Sequence, residues 1–487
     1  MSFILKMLPM FTPRIKTIFL LSILLPLLSG LAHADGTFDV SVSHLPDFRG
    51  VQPGHFSEVQ FYYVNGSELG QNLEITVEGP FRISLHCYED FSGSLSLVPA
   101  NGTISSTRIY VRFFPETTGS KQGTISHQAG SAGPLNVSLS GSGIESSIPA
   151  GYYHNAYGIG SNLKTQLFNI INNHQTQTYS SLWGHFEQTD ATFAGKVWDM
   201  YSDIPCQEPP YVFTFLEDQD TGSGGNSEGD VFNREHSMPR SWFGGAVDPM
   251  NTDLFHLWPV DKFVNAKRGD FPYGEVDNFT WISENGGKLG PNAAGGYSGT
   301  AFEPINQYKG DIARGYFYMI TRYQDQIQNW TYNESGQAML DNQQYPGLKP
   351  WAISMLIQWH ENDPVSQKEM LRNQAIYNIQ GNRNPFIDHP EFVDRIWGDT
   401  IAYVGIHHVV CQGLTVYPNP ASSWFTVEAP HGSQSLEIYS LSGKRLISQV
   451  ALQGEMRVST AGLKPGIYIL VVETSYGLFR EKLMIKN

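Results

Sequence analysis

The period of the hydrophobic residues changes twice along the chain, and this change constrains the fold more than any other feature of the sequence. Between residues 35 and 147, apolar side chains alternate along short segments, as at Ile109, Val111 and Phe113, with turn residues between the segments. Such alternation is typical of strands with one buried face and predicts a β-sandwich. In the middle of the chain, apolar residues recur at the spacing of a helix face. From Leu414 they again alternate with polar residues, with the two-residue period of a strand. The sequence therefore predicts a multidomain protein with a β-sandwich, a central α+β domain and a second, small β-sandwich.

The length of the chain agrees with several domains, because 487 residues exceed what one hydrophobic core usually supports. The segment GSGIESSIPAGYY, from Gly141 to Tyr153, has the composition of a linker. Two helical faces follow it, formed by Leu163, Leu167, Ile170 and Ile171 and by Ile312, Tyr316, Met319, Ile320 and Tyr323. We therefore place the three domains at residues 35–147, 148–412 and 413–487.

The N-terminus has the order of a secretory signal peptide. Basic residues precede the apolar run from Ile18 to Leu31, and the small-x-small site Ala32-His33-Ala34 follows it. The run is short for a membrane span, and no other segment is apolar enough to cross a bilayer. Residues 1–34 are thus predicted to be removed during export, and the alternative is an uncleaved N-terminal anchor.

The sequence contains three cysteines, Cys87, Cys206 and Cys411. An exported protein meets oxidising conditions, in which disulfides persist. A bond between Cys206 and Cys411 would tie together the two ends of the central domain and leave one thiol over. The alternative is that all three cysteines are free and buried.

Three residues of the central domain have side chains suited to cleaving a phosphodiester. This reaction at neutral pH needs a base for the attacking water and a positive centre for the charge that develops on phosphorus. His236 supplies an imidazole of suitable pKa, while Glu235 and Asn265 offer the oxygen ligands that Mg²⁺ prefers. Mn²⁺ and Ca²⁺ accept the same ligands. His256 lies in an apolar stretch and is predicted to be a structural histidine.

Four motifs follow one another in the central domain: NREHSMPRSWFG, DLFHLWPVDKFVNAKRGDFPYGEV, FEPINQYKGDIARGYFYMITRY and NPFIDHPEFVDRIW. From about Tyr153 to Gln412 the chain resembles the endonuclease I family of secreted and periplasmic bacterial nucleases. The resemblance implies the ββα-metal (His-Me finger) fold, with His236 as general base and with Glu235 and Asn265 as metal ligands. Consecutive residues of a regular strand point to opposite faces, so the backbone is expected to twist or leave the strand at this point.

Basic residues near these motifs are candidates for holding the phosphate, which arginine can bind through two parallel hydrogen bonds. Arg268 and Arg240 are predicted to stabilise the phosphate that is cleaved, and Arg268 ranks first because it lies one helical turn beyond the predicted amide ligand. Arg314, Asp311 and Lys267 are predicted to bind the substrate. Asp311 and Arg314 are equally well spaced to pair with each other on a helix.

The C-terminal segment from residue 413 carries a second set of motifs. It opens with Tyr417-Pro418-Asn419-Pro420, continues with the turn Leu441-Ser442-Gly443-Lys444 and the segment from Leu463 to Tyr468, and ends in a basic strand. These features resemble the C-terminal sorting domain of type nine secretion, which implies contact with the secretion machinery. A generic adhesion module is the alternative. The N-terminal sandwich is similar to the immunoglobulin-like modules of bacterial surface proteins and has no catalytic constellation.

The net charge of the chain argues against an acidic partner. The 31 basic and 46 acidic residues leave a formal charge of −15, which repels nucleic acid. This objection weakens if the acidic residues lie on other domains or if a bound divalent cation offsets them. We therefore predict that positive potential is confined to the cleft around Glu235, His236 and Asn265.

Together, the residues and the resemblance predict a secreted, monomeric endonuclease that cleaves DNA, and RNA as well, with little sequence specificity. Its metal is expected to be Mg²⁺, with Mn²⁺ or Ca²⁺ as alternatives. Two other functions remain open: a non-enzymatic surface adhesion protein with a degenerate nuclease scaffold, and an RNA-preferring ribonuclease. The joint presence of Glu235, His236 and Asn265 counts against the first, because degeneration usually removes such a set.

Overall fold

The computed structural model describes residues 36–330, 333–401, 415–428, 433–440, 444–450, 455–474 and 477–486. The predicted signal peptide, residues 1–34, and Cys411 lie outside these ranges. Among the residues described, no helix is long and apolar enough to span a membrane. The cleavage of residues 1–34 therefore stays a prediction.

The N-terminal region is β-rich, as the alternation predicted. Its strands are β1 (Thr37–Val40), β2 (Gly50–Val51), β3 (Gln60–Ser67), β4 (Leu73–Glu78), β5 (Phe81–Ser84), β6 (Ser94–Leu97), β7 (Ile104–Phe113), β8 (Gly119–Ala129) and β9 (Ala132–Gly143). Two sheets with the strand orders β1-β3-β7-β5 and β2-β9-β8-β4-β6 share one hydrophobic core. In β7, Ile109, Val111 and Phe113 are buried in this core and the residues between them are partly exposed. The immunoglobulin-like type of the region stays a prediction.

The central region combines helices with short strands. Its helices are α1 (Gly160–Ile171), α2 (Leu182–Thr189), α3 (Lys262–Arg268), α4 (Lys309–Arg322), α5 (Glu334–Met339), α6 (Pro350–Asn362), α7 (Gln367–Gln380), α8 (Pro385–Asp388) and α9 (Phe392–Ile401). Its strands are β10 (Phe232–His236), β11 (Leu257–Asp261), β12 (Trp281–Ile282), β13 (Lys288–Pro291) and β14 (Thr300–Glu303). Short 3-10 turns lie at Arg240–Trp242, Met250–Thr252, Leu254–His256, Asn306–Tyr308 and Ile327–Asn329.

Helix α4 lies at the centre of this region, because every one of its residues is buried. It packs against α1, α6 and α8. The helix that the spacing of Ile312, Tyr316, Met319 and Ile320 predicts is therefore present, but it has no exposed face. A helix enclosed on all sides is a rigid support for the elements that pack on it.

Two antiparallel strands and the helix after them carry the predicted base and metal ligands. β10 pairs with β11, with Glu235 opposite Trp258. α3 begins directly after β11, and the Asp261 side chain caps it by accepting a hydrogen bond from the Val264 N–H at 2.9 Å. Gly269 ends the helix with a φ of 59°, a conformation that glycine adopts without steric cost. α3 contacts both strands, so the three elements form one unit.

The C-terminal region is also built of strands. They are β15 (Thr415–Tyr417), β16 (Trp424–Glu428), β17 (Ser433–Ser440), β18 (Arg445–Val450), β19 (Glu455–Ser459), β20 (Gly466–Thr474) and β21 (Gly477–Ile485). The strand orders are β15-β16-β19 in one sheet and β18-β17-β20-β21 in the other. Side chains of both sheets share a core that includes Phe425, Val427, Ile438 and Leu470.

A buried glutamine joins the N-terminal and central regions. Gln367, the first residue of α7, donates from Nε2 to the carbonyl groups of Phe48, at 2.8 Å, and Gly50, at 2.9 Å. Its Oε1 accepts a hydrogen bond from the Glu58 N–H at 2.7 Å. All three bonds cross from one region to the other, so this single amide satisfies three backbone groups at their contact.

A disulfide also joins these two regions. It connects Cys87 with Cys206, and their Cα atoms lie 6.0 Å apart. The predicted pairing of Cys206 with Cys411 was wrong, because Cys206 is already bonded. The partner of a cysteine depends on which loops the tertiary structure brings together, and the spacing of cysteines in the sequence does not contain that information.

Candidate active site

An open cleft of about 650 Å³ lies where β10, α3 and the turn after β10 meet. It is lined by residues 233–236, 239–241, 245–246, 265 and 268–270, together with Tyr179 and Asp220. Glu235, His236 and Asn265 are all among these residues. The structure therefore brings the predicted base and the two predicted metal ligands to one place.

Glu235 and His236 are consecutive residues of β10, and both are paired with β11, opposite Trp258 and Leu257. The backbone does not leave the strand at these two residues, because the Ser237 N–H still donates to the His256 carbonyl at 2.9 Å. Residues 233–236 all line the cleft, which therefore lies at the end of β10 and takes side chains from both of its faces.

His236 is held with one ring nitrogen available. Its Nε2 lies 3.0 Å from the carbonyl oxygen of Asn251, and a carbonyl only accepts, so Nε2 carries the proton of the neutral ring. Nδ1 then has a lone pair and no hydrogen-bond partner among the residues described. Burial lowers the pKa of His236 well below its ordinary value, and His256 and the nearby arginines act in the same direction. The ring is therefore neutral at physiological pH, as a general base must be.

His256 supports the ring of His236. It is fully buried, its Nε2 bonds the carbonyl of Met250 at 2.7 Å, and the centres of the two histidine rings lie 5.3 Å apart in an edge-on arrangement. Burial lowers the pKa of His256 as well. These contacts agree with the structural role expected of His256.

Glu235 is buried, and its side-chain contacts all go to one carboxylate oxygen. Oε1 accepts hydrogen bonds from the hydroxyls of Tyr201, at 3.1 Å, and Tyr273, at 3.3 Å, and forms an ion pair with Arg268 at 3.1 Å. Oε2 takes part in none of these contacts. Burial raises the pKa of Glu235 even though Arg268 acts against it, so a second cation near Oε2 would favour the ionised form.

Asn265 is oriented by a second asparagine. Its Nδ2 donates to Oδ1 of Asn233 at 2.8 Å, across the gap between α3 and β10. Because the amide nitrogen is fixed by this bond, the carbonyl oxygen Oδ1 is the atom left to act as a ligand.

The side chains in the cleft fit a hard divalent cation. Glu235 Oε2 and Asn265 Oδ1 are oxygen atoms that accept no hydrogen bond from a described side chain, and such a cation needs few protein ligands because it keeps several waters. The described residues contain no group of three or more His, Cys, Asp or Glu side chains able to hold a metal. A pair of oxygen ligands in an open cleft is therefore the metal site that these residues offer.

Arg268 faces the interior of the protein instead of the cleft opening, with a side chain only 1% exposed. It donates to the carbonyl groups of His236, at 3.1 Å, and Ser237, at 2.6 Å, in addition to its ion pair with Glu235. Burial acts to lower the pKa of Arg268, but Glu235 outweighs this effect and raises that pKa above its ordinary value. Arg268 therefore ties the predicted metal ligand to the backbone at the end of β10.

Two other arginines lie on the cleft wall. Arg234 is half-buried and lies over the rings of Tyr179, at 3.7 Å, and Trp183, at 4.3 Å. Arg240 is exposed, with its guanidinium 5.8 Å from the centre of the Tyr179 ring. Tyr179 also stacks parallel to His236, with ring centres 6.3 Å apart. These side chains form a continuous wall beside the predicted base.

Three of the predicted substrate-binding residues lie outside the cleft. Arg314 is fully buried and forms two hydrogen bonds with Glu369, of 2.5 and 2.8 Å. Asp311 is buried beside Arg314, at 3.7 Å, and pairs with Lys368 at 3.2 Å. The Lys267 ammonium lies 5.1 Å from the centre of the Phe263 ring. Arg314 and Asp311 are enclosed within the protein, and the structure supports the pairing alternative for them. Lys267 is not among the residues that line the cleft but is partly exposed, and its role stays a prediction.

The charge of the cleft is mixed. Arginines 234, 240 and 268 line it, and so do Asp220, Glu235 and Asp270. Glu235 pairs with Arg268, and Asp220 pairs with Lys262 at 2.9 Å. Positive charge without an internal partner is thus concentrated at Arg234 and Arg240 and does not surround the predicted base evenly.

Several residues of the cleft were not identified from the sequence. Asn233 and Arg234 belong to the NREH motif, and Tyr273 belongs to the DFPYGEV segment, so the motifs contained a signal for these three. Tyr179 and Tyr201 precede every motif, and only tertiary structure places them at the cleft and at Glu235.

Comparison with known proteins identifies relatives of the central and C-terminal regions. A family model described as Endonuclease I matches residues 159–391, and one described as a secretion system C-terminal sorting domain matches residues 415–486. An extracellular ribonuclease of Bacillus amyloliquefaciens is 36% identical over 258 residues, which cover 50% of this chain and 78% of that protein. An extracellular ribonuclease of Bacillus subtilis (strain 168) is 34% identical over 257 residues, with the same coverage. An Endonuclease-1 of Buchnera aphidicola subsp. Acyrthosiphon pisum (strain APS) is 28% identical over 138 residues, covering 28% of this chain and 45% of that protein.

Proposed function

The chain belongs to the endonuclease I family, and on this premise we propose that it is a metal-dependent nuclease that hydrolyses phosphodiester bonds of both DNA and RNA with little sequence specificity. The type nine sorting domain at its C-terminus makes it a secreted or cell-surface protein. One observation carries the proposal: His236, whose Nδ1 has no hydrogen-bond partner among the described residues, lines the same open cleft as the carboxylate of Glu235 and the amide of Asn265.

The residues of the cleft divide the chemistry between them. Glu235 and Asn265 would hold Mg²⁺, which when bound supplies positive charge for the phosphate and lowers the pKa of water. Nδ1 of His236 takes the proton of the attacking water as the water oxygen bonds to phosphorus. The bond from phosphorus to the 3′ oxygen breaks, the departing oxygen takes a proton from solvent water, and the products are a 5′-phosphate and a 3′-hydroxyl. Throughout, the Asn251 carbonyl holds Nε2–H and stabilises the imidazolium that forms.

Arg268 is a positioning residue in this proposal. All of its described polar contacts go to Glu235 and to backbone carbonyl groups, so it holds the metal ligand and the end of β10 in place. Arg240 is the candidate arginine that remains exposed in the cleft, and we assign it to the phosphate backbone of the substrate. The unit of β10, β11 and α3 has the order of elements of the ββα-metal fold, to which we assign the central region.

Attack by water predicts that the protein cuts both nucleic acids. A ribonuclease that uses the 2′-hydroxyl of its substrate as nucleophile cannot cut DNA, whereas a water nucleophile needs no 2′-hydroxyl. The two Bacillus relatives are named extracellular ribonucleases, and this favours an RNA-preferring enzyme as the second candidate function. Under both candidates RNA is cut, and only the rate on DNA separates them.

Digestion of DNA and RNA in parallel tests the proposal. Purified protein, incubated with a plasmid, single-stranded DNA and RNA in Mg²⁺, is expected to degrade all three. EDTA should abolish every activity, and added Mg²⁺ should restore it. Without the cation, Glu235 and Asn265 present no positive charge to the phosphate. Products should carry 5′-phosphates. Activity on RNA alone would favour the ribonuclease, and no activity in any divalent ion would favour the adhesion protein.

The tyrosines bonded to Glu235 are expected to affect the metal. Tyr201→Phe combined with Tyr273→Phe removes both hydroxyls that donate to Oε1 of Glu235. Loss of hydrogen bonds that orient a metal ligand typically weakens metal binding about 10–100-fold. The Mg²⁺ concentration for half-maximal cleavage should therefore rise by that factor. Tyr62→Phe is the control, since the Tyr62 hydroxyl bonds His127 in the N-terminal region. An unchanged Mg²⁺ dependence in the double variant would mean that these hydroxyls do not orient a metal ligand.

A further inference from the structure

The two arginines on the cleft wall share one tyrosine and have no acidic partner. The guanidiniums of Arg234 and Arg240 both lie beside the Tyr179 ring, at 3.7 and 5.8 Å from its centre. Among the residues described, no carboxylate lies within ion-pair distance of either, and Asp220, which also lines the cleft, is paired with Lys262. Two like charges are therefore held side by side, and neither forms an ion pair with a carboxylate of the described residues.

Arg234 is fixed in place without an ion pair. Its Nη1 donates to the carbonyl of Tyr179 at 2.7 Å, and its guanidinium lies over the rings of Tyr179 and Trp183. The side chain is half-buried. Holding a cation here costs free energy that a bound anion would recover. The planar arginine fork, with one N–H already bonded, still has donors for two phosphate oxygens.

The distance of Arg234 from His236 indicates which anion the two arginines bind. Arg234 and His236 are two residues apart on β10, and a strand rises about 3.3 Å per residue, so their Cα atoms are separated by about 6.6 Å. This is the scale of the step from one backbone phosphate to the next. Residues two apart on a strand also point to the same side, and the Tyr179 ring contacts both.

We propose that Arg234 and Arg240 form a subsite for the backbone phosphate next to the one that is cleaved. The substrate is then held as a strand of at least two phosphates, and the recognised group is the sugar-phosphate backbone and not a base. This proposal rests on the proposed nuclease function and adds the form of the substrate. An extended nucleic acid strand should bind more tightly than a compound with a single phosphodiester.

The salt dependence of strand binding tests the subsite. Binding of a fluorescein-labelled single-stranded oligodeoxynucleotide to the full chain is measured by anisotropy in EDTA, over a series of NaCl concentrations. Each phosphate contact on a single strand contributes about 0.7 to the slope of log K against log salt. Because the two arginines hold one phosphate, we expect the double variant Arg234→Gln with Arg240→Gln to lower that slope by about 0.7, and each single variant to lower it by part of that amount.

Two further variants separate charge from packing. Arg234→Lys keeps the positive charge, so the slope of the wild type should be retained even though the fork is lost. Arg395→Gln is the matched control, because Arg395 also bonds a backbone carbonyl, that of Gly158 at 2.8 Å, and lies 5.0 Å from the centre of the Phe392 ring, but it does not line the cleft. Its slope should equal that of the wild type.

The outcomes distinguish this subsite from the nuclease function. If neither Arg240→Gln nor Arg234→Gln changes the slope, the subsite does not exist, whatever the protein cleaves. If both change it and the protein nevertheless cuts no nucleic acid in any divalent ion, the subsite stands and the nuclease function fails. An equal loss of slope in Arg395→Gln would show a general charge effect and overturn the assignment.

Discussion

His236→Ala is expected to reduce the rate of phosphodiester cleavage by about 10²–10⁴-fold, the contribution of a well-placed general base. The structure gives the reason, since Nε2 is held by the Asn251 carbonyl and Nδ1 is left as the acceptor in the cleft. Alanine removes this acceptor but leaves Glu235 and Asn265 in place. Cleavage of a labelled oligonucleotide under single-turnover conditions measures the loss of the chemical step.

Metal and strand binding should survive this substitution. The salt slope of oligonucleotide binding should stay at the wild-type value, because His236 is neutral and contributes no phosphate contact of its own. Exogenous imidazole should restore part of the rate by entering the space that the ring vacated. His154→Ala is the control, since His154 is exposed and lies outside the cleft. A wild-type rate in His236→Ala would remove His236 from the mechanism.

The proximity of the three candidate residues in one cleft was predictable because they lie in local motifs. Glu235 and His236 are adjacent, and Asn265 lies on the helix that follows the partner strand, so one small unit of structure brings the three together. Local pairing and a short helix are the features that sequence patterns report best. The β-rich terminal regions were predictable for the same reason, since alternation along a strand is a local signal.

The roles of the basic residues were not predictable in the same way. Helical spacing placed Arg268 one turn after Asn265, which was correct, but spacing does not say whether that face meets solvent or the interior. Arg314 is bonded to Glu369 across 55 positions of sequence, a pairing that only the packing of α4 against its neighbours creates. A charged residue near a motif can therefore bind the substrate or form an ion pair inside the protein, and the burial of its side chain distinguishes these two roles.

Removal of the disulfide between Cys87 and Cys206 is expected to have a large effect on stability. The double variant Cys87→Ser with Cys206→Ser should lower the free energy of unfolding by about 2–5 kcal/mol, the usual cost of losing a native disulfide. The two cysteines are 119 positions apart, and a bond that closes so long a loop restricts the unfolded chain strongly. The bond also joins two regions that meet through the polar contacts of Gln367 and through the rings of Phe48 and Phe193, whose centres lie 6.4 Å apart.

Chemical denaturation of the oxidised protein measures this effect, with loss of the N-terminal and central regions followed by separate probes. Without the bond, the N-terminal region is expected to unfold at a lower denaturant concentration than the central region, because the two are no longer linked covalently. Cys411→Ser is the control and should unfold like the wild type, since Cys206 is already bonded to Cys87. Mass spectrometry of peptides from the non-reduced protein gives the decisive reading. A peptide pair containing Cys206 and Cys411, or equal stability of the double variant and the wild type, would contradict the link between the two regions.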